Sequence, residues 1–409
     1  MSKELSDLLS LFKDKKFSLA EKKCSILIKK IKPNYEIFNI YAVILYELKK
    51  YDEAIKYWKK ATELNPQYYF GYNNLGNVFL KQNEFKKALD YYHKAIQIKP
   101  DYYEAHHNKG NALRKTNDFT GAIVSYENAI KIKSDYLPAL KSISELYVKQ
   151  KNFSKAIKIL DRILIYEPNN VKSYIQKADI FFEKNFVKEG MENYQSAYDL
   201  NPEHPFLLGD FIHAKTKLCD WIELDKELKK LEKNIFNKKK STTPFVASTL
   251  FDSPKLIYET AKIWQGNFKT KTSDDENYSR TNKKKIKLGF YSADFRTHAM
   301  GHLMVQMLES HNKSLFELHG FYFGPPINNQ DLLQKRILNC FDGFHDINNK
   351  DDQSVYSLSK KLEVDIAIDM MGHTGDNNRF AIFLKKLAPL QINFLGYPGT
   401  SGSKNIDYI

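Results

Sequence analysis

The chain has 409 residues, which is enough for two or three domains. Its residues are 42% hydrophobic and 14% aromatic, so the chain can bury real cores and is not a disordered chain. The formal net charge of +14 suggests nucleic acid, but the lysines are spread along the chain, with dense runs only at Lys238–Lys240 and Lys283–Lys285. We therefore expect no nucleic-acid partner.

The cysteines and the hydrophobic runs predict the compartment. Cys24, Cys219 and Cys340 lie far apart without a CxxC pair, which argues against a disulfide framework and against a thiolate zinc site. The first residues lack the continuous apolar core of a signal peptide. No stretch approaches the ~18 apolar residues of a membrane span. These features predict a cytoplasmic protein that has no membrane partner.

The first half repeats itself with a period of 34 residues, which is visible in four columns of side chains. The columns are small residues (Ala42, Gly76, Gly110, Ser144, Ala178), aromatic residues (Phe17, Tyr51, Phe85, Phe119, Phe153), alanines (Ala20, Ala54, Ala88, Ala122, Ala156) and prolines (Pro66, Pro100, Pro168, Pro202). The small residue allows one helix to approach the next, and the proline stops the second helix. Each unit is therefore predicted to be a pair of helices.

These units resemble the tetratricopeptide repeat, and "YNNLGNVFLKQNEFKKALDYYHKAIQIKP" is close to its consensus. We predict a superhelix over residues 1–203, with a cap and about five repeats from Asn34 to Glu203. Asn74 and Asn108 lie two residues before the small-residue column, where an amide can pair with an extended acceptor peptide. The next two repeats have Ser142 and Gln176 there, so solvated surface is the alternative.

Two connecting regions follow the repeats. Residues 204–268 lose the 34-residue period but keep apolar residues at helical spacing, so we predict a helical transition region. The segment 269–285, "KTKTSDDENYSRTNKKK", is charged and almost free of apolar residues. It is predicted to be a polar linker.

Residues 286–409 change to short apolar runs that alternate with amphipathic stretches. Strands are predicted at "IKLGFYSADF", "FELHGFYFG", "GFHDI", "VDIAIDMMG" and "LQINFLGYPG", and helices at "GHLMVQMLESH", "NQDLLQKRILNCF", "DQSVYSLSKKLE" and "NRFAIFLKKL". Strands that alternate with helices predict a parallel, Rossmann-like sheet. Ligands of such sheets gather at the carboxyl ends of the strands.

Those strand ends have the polar residues of a candidate site. The first strand is followed by Asp294 and His298, the fourth by His373, and the fifth by the turn "GYPGTSG". This turn matches neither a GxGxxG fingerprint nor a Walker loop, although its N–H groups can face a phosphate or a sugar. His298 and His302 are four residues apart, but the further ligands of a metal site are not evident, so we expect no metal.

The segments "AKTKLCDW", "KLGFYSADFRTHAMGHL" and "GHTGDNNRFAIFLKKLAPLQINFLGYPGTSG" resemble the O-GlcNAc transferase and SPINDLY-like glycosyltransferases, especially the bacterial members. The resemblance implies one Rossmann-like half of a GT-B enzyme, preceded by the all-α superhelix. It further implies an inverting, metal-independent transferase that needs no cofactor and moves a sugar from a nucleotide diphosphate to serine or threonine of proteins. The repeat groove would bring in the acceptor protein.

The resemblance also assigns residue roles. It makes His298 the active-site histidine, either as the base or as a group that orients the acceptor. It places the donor sugar against Asp294, His373 and the turn with Gly396, Pro398, Gly399 and Thr400. The expected donor is UDP-GlcNAc. GDP-fucose is the alternative, because the "GHT" that contains His373 is closer to SPINDLY, whose relatives can transfer fucose.

The sequence stops at Ile409, within the first Rossmann-like half that the resemblance implies. In the family, most of the grip on the nucleotide comes from the second half. We therefore expect a truncated member that transfers no sugar efficiently as given. The alternative is an interaction scaffold with a degenerate catalytic remnant.

Overall fold

The computed structural model describes residues 8, 10–12, 14–30, 34–268, 285–374, 379–397 and 399–409. It consists of two compact units, residues 1–184 and 185–409. The domain limits expected from sequence, 1–203, 204–268, 269–285 and 286–409, stay predictions. Residues 269–284 of the predicted linker lie outside the described residues.

In its described residues the first unit contains helices and turns but no strand. The long helices are α1 (Phe17–Lys30), α2 (Tyr35–Glu47), α3 (Tyr51–Leu64), α4 (Tyr69–Lys81), α5 (Phe85–Ile98), α6 (Tyr103–Lys115), α7 (Phe119–Ile132), α8 (Leu137–Lys149), α9 (Phe153–Tyr166) and α10 (Val171–Glu183). Helices α2 to α9 pack as four successive hairpins, each with a three-residue turn. The predicted all-α repeat architecture is confirmed.

The small-residue column allows close packing between the two helices of a hairpin. A Cβ atom at Gly76 would lie 2.5 Å from the ring of Tyr92, and one at Gly110 would lie 2.6 Å from the ring of Tyr126. The hydroxyl of Tyr92 donates to Asn77 Oδ1 at 2.9 Å, so the buried phenol keeps a hydrogen-bond partner. The glycine therefore makes room for an aromatic ring from the second helix.

The turn between the two helices of a hairpin uses left-handed backbone at one fixed position, which the sequence patterns did not reveal. The residues in this conformation, with φ from 56° to 62°, recur every 34 residues and are Lys15, Lys49, Asn83, Asn117, Lys151 and Asn185. Asparagine tolerates this conformation better than lysine because its short polar side chain bonds locally. The three lysine turns are therefore locally strained.

The second unit begins with helices α11 (Val187–Leu200), α12 (Leu207–Lys217), α13 (Leu224–Phe236), α14 (Pro244–Leu250) and α15 (Pro254–Gln265). Leu208 and Ile212 of α12 form a core with α13 and with Leu256 of α15. The buried Lys215 ammonium donates to Glu227 Oε2 at 2.8 Å and to the Ile222 carbonyl at 2.6 Å, which fixes the loop between α12 and α13.

A five-stranded sheet follows within the same unit. Its elements are β1 (Ile286–Ser292), α16 (Ala299–Glu309), β2 (Phe316–Tyr322), α17 (Leu332–Leu338), β3 (Gly343–Asp346), α18 (Asp352–Lys361), β4 (Ile366–Asp369), a 3₁₀ helix (Phe380–Leu384) and β5 (Leu390–Asn393). The strand order is β3-β2-β1-β4-β5, and every neighbouring pair is parallel. This confirms the predicted Rossmann-like half.

One predicted helix of the second unit does not form as an α-helix. The stretch "NRFAIFLKKL" was predicted to be an amphipathic helix, but only a five-residue 3₁₀ helix forms, at Phe380–Leu384. Phe380, Ile382, Phe383 and Leu384 are all buried, so the segment has no polar face for solvent. Lys385 is already extended, which ends the helix.

The two faces of the sheet have separate cores. Tyr291, Phe321 and Phe383 pack together on one face, where Tyr291 and Phe321 stack 4.2 Å apart. Phe290 and Met304 belong to the core on the other face. In the parts of the chain that the structure describes, no helix is both long enough and apolar enough to traverse a bilayer.

The strained lysine turns lead to a stability prediction. Lys49→Gly removes a Cβ from left-handed backbone, so it should raise the free energy of unfolding of the array by about 0.5–1 kcal/mol. Lys59→Gly is the matched control in the middle of α3, where glycine should instead cost about 1 kcal/mol. Urea unfolding compares the two variants, and a loss of stability in both would contradict the strain argument.

Candidate functional site

The loop after β1 places His298 at the start of a helix. His298 is the N-cap of α16, and its Nδ1 accepts a hydrogen bond from the Met300 N–H at 3.3 Å. The Asp294 Oδ2 lies 3.5 Å from the same nitrogen, while Oδ1 of this buried carboxylate accepts from Arg296 at 3.0 Å. Two of the predicted site residues, Asp294 and His298, thus form one cluster.

The cap fixes which nitrogen of His298 holds the proton. A neutral imidazole has one donor and one acceptor nitrogen. Since Nδ1 accepts the Met300 N–H, Nε2 of the neutral ring is the N–H donor. A proton on Nδ1 would break the cap and turn that nitrogen towards Asp294. In the capped state, His298 therefore offers a hydrogen-bond donor rather than a base.

Two residues on α17 hold this loop, and sequence reasoning missed both. Asp331 accepts from the N–H and the hydroxyl of Thr297, at 2.7 Å each, and also caps α17. These hydrogen bonds, that from the Thr297 N–H foremost, lower the pKa of Asp331 to about 2. The buried Gln334 donates to the Phe295 carbonyl at 2.8 Å. The backbone on the N-terminal side of His298 is thus anchored by side chains more than 30 residues away.

The end of β4 contains a buried carboxyl group. Asp369 Oδ1 accepts from the N–H groups of Met371 and Gly372, at 2.9 and 3.0 Å. Burial raises the pKa of Asp369 to about 6, although these two hydrogen bonds act in the opposite direction. Within the described residues, Oδ2 has no hydrogen-bond partner. The same is true of both side-chain polar atoms of Asn393, the register partner of Asp369 on β5.

His373 joins the turn after β4 to the turn after β5. Its Nε2–H donates to the Ser401 carbonyl at 2.8 Å, and its ring lies 4.4 Å from that of Phe380 and 5.4 Å from that of Tyr397. Burial lowers the pKa of His373 to about 4, so the ring is neutral near pH 7. This histidine is embedded between the two turns.

The turn after β5 packs directly under β4. A Cβ atom at Gly396 would run into the Met370 backbone, so only glycine fits there. Gly399 lies against the Tyr397 ring, and the Thr400 hydroxyl accepts from the Gly402 N–H at 3.2 Å. Pro398, the remaining predicted residue of this turn, lies outside the described residues.

The sheet brings the predicted residues to adjacent strand ends. β1 and β4 are neighbours, and the Ser292 hydroxyl lies 3.7 Å from Met371 Sδ. The site roles of Asp294, His298, His373, Gly396, Gly399 and Thr400 stay predictions. His302 is exposed on α16, one turn after His298. Among the residues described, no three His, Cys, Asp or Glu side chains group to hold a metal ion.

The two predicted acceptor-binding residues of the repeats are joined to neighbouring repeats. Asn74 Nδ2 donates to Asn39 Oδ1 at 3.2 Å, and Asn108 Nδ2 donates to Asn73 Oδ1 at 3.0 Å. His107 Nε2 lies 3.3 Å from the Ser142 hydroxyl, and these two residues are 35 positions apart, as in the two asparagine pairs. Each amide thus uses one hydrogen on the preceding repeat, and the Asn108 side chain also bonds to His107. The peptide-binding role of Asn74 and Asn108 stays a prediction.

Comparison with known proteins assigns both parts of the chain. Residues 43–83, 69–102 and 113–178 match tetratricopeptide-repeat models. Residues 261–409, which contain the sheet and the strand-end residues, match the family model described as glycosyl transferase family 41. The first half of the chain thus matches tetratricopeptide-repeat models, and residues 261–409 match the family 41 model.

The chain is similar to curated proteins of plants and animals. One is the probable UDP-N-acetylglucosamine–peptide N-acetylglucosaminyltransferase SEC of Arabidopsis thaliana, 29% identical over 31% of this chain and 13% of its own length. Another is the UDP-N-acetylglucosamine–peptide N-acetylglucosaminyltransferase of Caenorhabditis elegans, 26% identical over 47% and 18%. The matched region thus spans less than a fifth of either relative.

A solved structure is similar to part of the chain. It is a mutant of the Thermobaculum terrenum O-GlcNAc transferase, which is 18% identical with a TM-score of 0.49. The similarity covers 75% of this chain and 52% of that one.

The two buried titratable groups of the site predict opposite pH effects. Between pH 4 and 6, folded Asp369 keeps a proton that the unfolded residue has lost, so its contribution to the free energy of unfolding falls as the pH rises. Folded His373 lacks a proton that the unfolded residue binds between pH 4 and 6.5, so its contribution rises with pH.

The pH dependence of the free energy of unfolding should therefore change in opposite directions in Asp369→Asn and His373→Gln. From pH 4 to 6.5, the free energy of unfolding of Asp369→Asn should rise relative to the parent, and that of His373→Gln should fall, each by up to about 3 kcal/mol. Urea unfolding at several pH values measures both. Parallel pH profiles for the parent and both variants would show that neither pKa is shifted by burial.

Proposed function

We propose that this chain supplies the acceptor-side part of a protein O-glycosyltransferase. The observation that supports the proposal most is the His298 cap at the carboxyl end of β1, inside the family 41 segment. There the imidazole presents Nε2–H, with Nδ1 held by the Met300 N–H, from a loop that Asp331 anchors. A donor placed in this way orients the oxygen of an acceptor hydroxyl.

The proposed reaction transfers a sugar with inversion from a nucleotide diphosphate to serine or threonine of a protein. The donor we propose is UDP-GlcNAc, the sugar nucleotide in the names of the curated relatives, with GDP-fucose as the alternative. The turn with Gly396, Gly399 and Thr400 would lie against the donor, because its backbone N–H groups can face a sugar or a phosphate. We propose that the reaction needs no metal and no further cofactor.

In this proposal the tetratricopeptide repeats bind the acceptor protein. Asn74 and Asn108 lie one repeat apart. The Oδ1 and the second N–H of Asn74 can pair with the backbone of an extended peptide, whereas Asn108 also bonds to His107. We place the reaction in the cytoplasm, since Cys24, Cys219 and Cys340 are all free thiols. Nucleic acid and membranes are not proposed as partners.

The proposal predicts that His298→Ala abolishes transfer while His302→Ala does not. His302 is the matched control because it is an exposed histidine on the same helix. The parent and both variants are incubated with radiolabelled UDP-GlcNAc or GDP-fucose and a cell lysate. The 409-residue chain is assayed beside a form extended through its downstream reading frame. Loss of a positioned catalytic histidine should lower the rate by about 100-fold or more.

Equal rates for the two histidine variants would contradict the role of His298. A repeat array that retains peptides but turns over neither sugar nucleotide in any form would contradict the enzyme. That second result would favour an interaction scaffold. Label on serine or threonine, released by alkaline β-elimination, would support O-linked transfer.

A further inference from the structure

A cavity of about 410 Å³ lies between helix α15 and the turn after β5. Tyr258, Lys262 and Gln265 of α15 form one wall, and Thr400, Ser403 and Lys404 are among the residues on the other side. The volume falls in the range of small-molecule sites. Of its lining residues, only Thr400 has a role proposed above, in the turn against the donor.

The two walls are fixed to each other, so the cavity is preformed. Gln265 Nε2 donates to the Ser401 carbonyl at 2.9 Å, a contact between residues 136 positions apart. Gly402 has φ of 70°, and a Cβ atom there would lie 2.8 Å from Ala261 Cβ. The close approach of turn to helix therefore requires glycine. A cavity with such walls needs little reorganisation to accept a ligand.

The lining of the cavity is positively charged. Among the described residues that line it, Lys262 and Lys404 are charged and none has a carboxylate. The nearest acidic neighbours in sequence, Glu259 and Asp407, form ion pairs with Lys238 and Lys386. The hydrogen bond from Lys238 lowers the pKa of Glu259, and the charge of Lys262 contributes to the same shift. Lys262 Nζ lies 5.2 Å from the Tyr258 ring centroid, a cation–π contact that leaves its hydrogens available.

Two hydroxyl groups of the lining have a proton to donate. Thr400 Oγ1 accepts from the Gly402 N–H, and Ser403 Oγ accepts from the Asn405 N–H, both at 3.2 Å. Because these oxygens act as acceptors within the turn, the hydroxyl hydrogens are directed elsewhere. Two ammonium groups and two hydroxyl donors without a carboxylate form a set that suits an oxyanion.

We propose that this cavity binds a phosphate monoester. A phosphate monoester has a charge of about −1.5 to −2 at neutral pH, which matches two lysines better than a single carboxylate does. The cavity also leaves room for the group esterified to the phosphate. The site does not depend on the proposed transfer reaction, although Thr400 belongs to both the cavity and the candidate donor turn.

Isothermal titration calorimetry of the 409-residue chain with O-phosphoserine tests the proposal, at constant ionic strength in chloride buffer. Lys262→Gln and Lys404→Gln should each weaken binding by about fivefold or more, as expected for one charge-assisted hydrogen bond. Lys361→Gln is the matched control, because Lys361 is an exposed lysine at the end of α18 with the same effect on net charge. Circular dichroism verifies that each variant is folded.

Two results would overturn the site: no measurable binding by the parent chain, or the same affinity for the cavity variants and Lys361→Gln. Ser403→Ala gives a second readout, since loss of its hydroxyl should weaken binding without a change in net charge. Titrations with inorganic phosphate and with a phosphoserine peptide distinguish the sources of the ligand. Tighter binding of the peptide than of O-phosphoserine supports a phosphorylated protein, and tighter binding of O-phosphoserine supports a small phosphate monoester. Equal or tighter binding of inorganic phosphate than of both esters would overturn the monoester site.

Discussion

The candidate site depends on how closely the turn after β5 approaches the turn after β4. Gly396 fits against the Met370 backbone, and Gly372, with φ of 55°, lies against Tyr397. The His373 ring then donates across the gap to Ser401. Any side chain at either glycine would separate the two turns and break this contact. The shape of the site at these strand ends is therefore determined by backbone sterics. The polar residues can lie where they do because the two glycines let the turns come close.

The same constraint organises the repeats. Gly76 and Gly110 allow a tyrosine ring from the second helix of the hairpin to lie against the first helix, and the phenol then bonds to an asparagine amide. In both units, glycines allow close packing, and the buried polar groups then find hydrogen-bond partners within it. The buried Lys215 obeys the same rule, because it fixes a loop only through a paired carboxylate and a carbonyl.

The sequence was sufficient for the architecture because periodicity is local. The 34-residue step revealed the helix pairs, and alternating runs revealed the parallel strands and placed His298 after the first of them. The contacts between distant segments were not predictable. Asp331 holds Thr297 from α17, and Asn393 faces Asp369 only through strand register. The 3₁₀ helix at Phe380–Leu384 was predicted to be an amphipathic α-helix because its apolar residues have helical spacing. Its burial, which the spacing does not show, leaves it without a polar face.

The hydrogen bonds between repeats limit how the array can evolve. Asn39–Asn74 and Asn73–Asn108 are identical pairs, so a copied repeat with asparagine at both positions would find matching partners on either side. The His107–Ser142 pair breaks this interchangeability. A repeat inserted or deleted at that junction would leave an imidazole or a hydroxyl facing the wrong neighbour. Lengthening by duplication is thus easier on the N-terminal side of residue 107 than beyond it.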